Sequence, residues 1–157
     1  MDRLRTLTLL VALPVFVGGC ADDAREWVEA CRAQSEAADA AEEAGRPAAA
    51  VEHLERLIAR PVPAGVAAED ARVLHQDALA RLAGLSLDAG DPERARRFVA
   101  RGLALGEEED LFTANLLVAR GRAHEAEGRD AEAARDYHRA LSIHDALLER
   151  ALGGALE

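Results

Sequence analysis

The stretch Gly121–Ile143, GRAHEAEGRDAEAARDYHRALSI, constrains the chain most. Small residues stand at Gly121, Ala133 and Ala140, an aromatic at Tyr137, and a glycine turn at Gly128-Arg129-Asp130. Such a stretch reads as two helices folded back on each other at a glycine, which ends a helix in a left-handed conformation at no steric cost. The pattern recurs 38 residues earlier. Ala83, Gly90, Ala95, Val99 and Gly102 fall on Gly121, Gly128, Ala133, Tyr137 and Ala140. Laid on Ala38, the same template gives Gly45, Ala50, Leu54 and Leu57, the last position relaxed from small to large. Small residues let antiparallel helices approach closely. The large residue is expected to fill space between neighbouring hairpins.

Composition agrees with helix. The apolar side chains are mostly Ala and Leu, with only Ile58 and Ile143 as isoleucines, and aromatics make up 3%. Strand formers are thus scarce and helix formers abundant. The expected fold is all-α, about six helices in stacked antiparallel hairpins: Arg25–Ala44, Pro47–Ala59, Val66–Ala89, Glu93–Leu105, a fifth from the acidic run Glu107–Asp110 to Glu127, and Asp130–Arg150. Gly45-Arg46-Pro47, Gly90-Asp91-Pro92 and Gly128-Arg129-Asp130 are the turns within hairpins. Two prolines and a glycine make Arg60–Gly65 a loop. The acids before the fifth helix suit the positive end of its dipole better than they suit a metal.

The repeat resembles the tetratricopeptide repeat, with three units over residues 24–152. The spacing here is 38 and 45 residues rather than about 34, and the family's Trp and closing Pro have no counterpart at the matching places. The resemblance implies a short α-solenoid whose first helices line a concave groove. It places Arg32, Ser35, Asp39, Glu42 and Glu43 there from unit one. Unit two gives Asp77, Ala80, Gly84, Leu87 and Asp88, and unit three gives Asn115, Val118, Arg122, Glu125 and Ala126. Six acids against two arginines would make that groove acidic, suited to a basic or extended peptide segment; a merely solvated acidic face is the alternative.

Residues 1–20, MDRLRTLTLLVALPVFVGGC, carry two arginines, an apolar run at Leu7–Val17 too short to span a bilayer, and a small pair before Cys20. Val17-Gly18-Gly19-Cys20 resembles the lipobox of bacterial lipoproteins. That resemblance implies a signal peptide over 1–19, removal of which leaves Cys20 lipidated on a short tether (20–23). The address would be the cell envelope, with the outer membrane favoured by Ala21. An ordinary secretory peptide is the alternative. Lipidation would leave Cys31 without an intramolecular disulfide partner, so it is either a buried small residue in an Ala-rich helix or the site of an intermolecular disulfide. Trp27 belongs either at the lipid interface or packed on the first hairpin.

All 19 basic residues are Arg, and 29 acids give a formal charge of −10. Repulsion from phosphate argues against nucleic acid, and the lack of Lys excludes a lysine nucleophile. The five histidines (His53, His75, His124, His138 and His144) include no i, i+4 pair. No phosphate loop, serine elbow or CxxC is present, so neither enzyme nor cofactor is expected. An envelope hydrolase or metal-binding protein using His124 and His138 across hairpin three is the other class of reading, and a purely structural periplasmic bundle a third.

Overall fold

The computed structural model describes residues 19–153, and among them every regular element is a helix. Six occur: α1 (Gly19–Glu43), α2 (Pro47–Ala59), α3 (Ala68–Asp88), α4 (Pro92–Leu103), α5 (Leu111–Ala126) and α6 (Asp130–Gly153). The signal-peptide reading of residues 1–19 falls almost wholly outside the described residues. α1 is already helical at Gly19, the first described residue, six residues ahead of the expected Arg25, and Cys20–Ala24 contains no helix breaker. α5 begins after the acidic run rather than in it. Asp110 caps it, its carboxylate accepting from Thr113 N at 2.8 Å.

Each helix packs on the next, and α3 also packs on α5. The three hairpins, α1–α2, α3–α4 and α5–α6, turn through one device. Gly45, Gly90 and Gly128 have φ of 65°, 77° and 71°. At each, the glycine N–H donates to the carbonyl three residues back and the following N–H to the carbonyl five back. This pair of bonds uses carbonyls that the helix end would otherwise leave open. Pro47 and Pro92 then start the next helix, where a missing N–H costs nothing.

The template positions are the core. Ala38, Ala83, Ala95, Ala50, Leu54 and Val99 are fully buried, and Ala133 and Ala140 nearly so. The large residue of hairpin three packs within its own hairpin. Tyr137 lies against Gly121 of its own hairpin, where a Cβ on Gly121 would stand 2.5 Å from Tyr137 Cε1. The bulky ring therefore requires the missing side chain opposite it. Hairpins meet instead at Gly102, where a Cβ would come within 2.7 Å of both Leu116 δ-carbons. Ala83 and Val99 hold the corresponding template positions in hairpin two.

Trp27 is buried at 2% exposure, edge-on to His75 of α3 with ring centroids 6.0 Å apart. It thus serves the core and not a lipid interface. Cys31 is fully buried, and burial, partly offset by Arg60, pushes its thiol pKa up. That fits the packed-residue reading.

Gly121→Ala should lower unfolding stability by about 1–3 kcal/mol through overpacking. Adding Tyr137→Val, which copies the second hairpin, should recover part of the loss. Urea unfolding of the two single variants and the double variant measures the coupling; strictly additive losses would show that the two residues do not press on each other.

Candidate functional site

The residues expected to line a groove lie on α1, α3 and α5. Asp77, Ala80 and Gly84 of α3 face Asn115, Val118 and Arg122 of α5 across an open cleft of about 210 Å³. Leu87, Arg122, Glu125 and Ala126 border a second of about 270 Å³. Arg122 lines both, so the two continue along one face. Helical spacing explains the set: positions three, four and seven apart share a face of each helix.

Charge on this face is more balanced than six acids and two arginines. Arg81 belongs to it as well, lining the first cleft. Its guanidinium reaches across to α1, 2.7 Å from Asp39 and 2.6 Å from Glu42, and donates to Ser35 Oγ at 3.1 Å. Arg122 pairs with Asp88 at 3.0 Å, and Glu125 accepts from the Tyr137 hydroxyl at 2.8 Å. Arg32 turns along its own helix to Glu36. Among the described residues, Glu43 and Asp77 make no hydrogen bond or ion pair. Asp77 is the half-buried one. Burial, reinforced by Asp39 and Glu42 and opposed by Arg81, holds its pKa above the ordinary carboxylate value. Burial and Glu125 similarly push Tyr137 up to about 12. Arg81 was legible in sequence, four residues after Asp77 and three before Gly84, but it falls between the repeat's template positions.

Two buried polar clusters brace the groove helices from behind. In the first, Arg72 of α3 bonds Glu69, Gln76 and Asp110. Gln76, fully buried, donates to the carbonyls of Gly102 at 3.0 Å and Gly106 at 2.7 Å. These bonds pin the α4–α5 loop to α3. The hydrogen bond to Glu69, and after it the pairing with Asp110, holds Arg72 above its ordinary pKa despite burial. In the second, Arg120 of α5 makes a bidentate pair with the buried Asp136 of α6, at 2.9 and 2.6 Å. His124 stands 3.5 Å from the same carboxylate. His138 is exposed, and among the described residues no hydrogen bond joins it to His124. The fit to a metal is poor: among the described residues no three or more His, Cys, Asp or Glu converge as ligands. None of their helices is long and apolar enough to cross a membrane.

Comparison with known proteins finds no family model and no curated protein that matches this chain.

His75 supplies a pH test. Burial foremost, then Arg101, holds its pKa below the ordinary 6.5. The unfolded chain therefore takes up this proton more readily. The neutral ring's contribution is full above pH 6.5 and is lost as pH falls towards the depressed folded value. Stability should drop as pH falls below about 6.5, and His75→Leu should flatten that slope in part, His124 being lowered in the same direction. Chemical unfolding across pH, followed through Trp27, reads both; an unchanged slope in the variant would contradict the assignment. Separately, Gln76→Leu removes the side-chain donor to the Gly106 carbonyl and leaves the Gly102 carbonyl only its backbone donors. Thermal unfolding should register a loss of about 1–3 kcal/mol.

Proposed function

We propose that this chain is a lipid-anchored helical-repeat adaptor of the bacterial cell envelope. Its three hairpins stack as a short tetratricopeptide-like solenoid, and the face shared by α1, α3 and α5 takes an extended peptide segment of another envelope protein. The observation that carries this reading is the meeting of the odd-numbered helices on one surface. Arg81 ties α1 to α3, and Asp77, Asn115 and Arg122 line the cleft between α3 and α5. A flat acidic helix face would not produce a continuous two-cleft channel.

The partner's chemistry follows from what the face leaves unused. Half of its acids already hold arginines and Glu125 holds the Tyr137 hydroxyl, so a strongly basic ligand is not required. Asp77 is the acceptor still open to a cationic or N–H donor, and the Asn115 amide can hold a peptide backbone group on the facing helix. A segment with one or two Arg or Lys side chains fits better than a polybasic tract. The anchor reading rests on Val17-Gly18-Gly19-Cys20. A triacylated cysteine would set the domain close to the bilayer, and more than one acyl chain is needed for firm attachment.

Mass spectrometry of the membrane-extracted protein should find residues 1–19 removed and acyl mass on Cys20, and Cys20→Ala should leave the precursor unprocessed. For the groove, crosslinking in intact membranes should capture a partner that Asp77→Lys releases. Affinity for the captured segment should fall several-fold with added salt. Affinity indifferent to both salt and Asp77→Lys would place the partner elsewhere.

A further inference from the structure

α6 presents a second, unused face. Ala134, His138, Leu141, Asp145, Leu148 and Leu152 follow one another at alternating four- and three-residue steps and are all exposed. The leucines are 60%, 58% and 59% exposed, the largest values among the big apolar side chains described. This is the spacing of a coiled-coil seam. It is distinct from the face that packs on α5, formed by Ala133, Asp136, Ala140 and Ile143. Other α6 side chains tie back to the α4–α5 loop, Arg139 to Glu107 and Arg150 to the Glu109 carbonyl. Nothing among the described residues covers the seam.

We infer that α6 pairs with α6 of a second copy of this chain, antiparallel, about an axis beside Ser142. Charge decides both the partner and the direction. Arg135 and Glu149 flank the seam on one side, each seven residues from Ser142 and on opposite sides of it. An antiparallel partner brings Arg135 of each copy to Glu149 of the other, twice over by symmetry. Both are held only loosely within their own chain: Arg135 donates to the Ala131 carbonyl at 3.2 Å, stands 3.9 Å from Glu132 and is 74% exposed, and Glu149 makes no ion pair among the described residues. In the same register Leu152 packs beside Ala134, and Leu148 beside His138. A parallel pair would instead set Asp145 against its counterpart in mid-seam, a like-charge contact. The pairing leaves the α1–α3–α5 face open in both copies, and it does not rest on the lipid anchor or on the groove.

The test uses the full chain extracted in mild detergent. Mass photometry and sedimentation over a concentration series should find a reversible dimer. Leu148→Asp should raise its dissociation constant more than about tenfold with helicity unchanged, since Leu148 is exposed in the single chain. Arg135→Glu and Glu149→Arg should each weaken the dimer several-fold, and the two together should restore it. Oxidation should crosslink a Ser142→Cys chain through the new cysteine, beyond any crosslinking of the unsubstituted chain. Leu152→Cys should not crosslink, because an antiparallel pair holds that position far from its counterpart. A chain monomeric at every concentration, a dimer untouched by Leu148→Asp, a double charge reversal that fails to restore association, or crosslinking at residue 152 in place of 142 would each overturn the inference.

Discussion

The fold depends on one kind of contact, a helix backbone laid bare so that a large side chain from the next helix can lie on it. Tyr137 on Gly121 is the extreme case. The ring fills the gap between α5 and α6, its hydroxyl reaches Glu125 at the groove rim, and the neighbouring Asp136 points inward to Arg120. Widening that gap would disturb all three at once. Gly102 serves the same purpose one level up, letting Leu116 seat α5 on α4. Alanine fills most of the remaining close approaches, and dispersion between well-packed surfaces holds them together.

Polar groups inside such a stack are costly unless satisfied, and here several are spent on joining one helix to another. Arg72 and Gln76 sit on α3 but bond the cap of α5 and the loop before it. Arg81 spans from α3 to α1, Arg120 from α5 to α6, and Arg96 of α4 stands 2.9 Å from Glu127 at the end of α5. Arginine suits this work because its planar fork meets two acceptors while staying charged. Exposed pairs such as Arg32–Glu36 add little, by contrast, since water screens them. A stack braced this way can present one face to a ligand and another to a second copy without either disturbing the core.

The helices and turns were readable because each has a local cause. Glycine followed by proline or aspartate marks the turns, and the 38-residue offset places the buried alanines. What escaped is non-local. α1 already includes Gly19–Ala24, a stretch with no apolar periodicity to mark it as helix. The seat of Tyr137 on Gly121 is one such contact, because periodicity gives a residue's face and not the helix it meets. Asp39, Glu42 and Asp88 were counted as free acids, yet two arginines answer them, one of them Arg81 outside the template. The buried role of Gln76 had no sequence signal beyond its place among apolar neighbours.

The central claim, that a bare glycine on one helix seats a large side chain from the next, can be measured on one residue. Proton NMR of the folded chain should show the Gly121 α-protons shifted well upfield by the Tyr137 ring, with cross-relaxation to its Hε and Hδ protons. Gly121 α-protons at ordinary chemical shift and without those cross-peaks would mean that the ring lies elsewhere, and the account of how the hairpins close would fail with it.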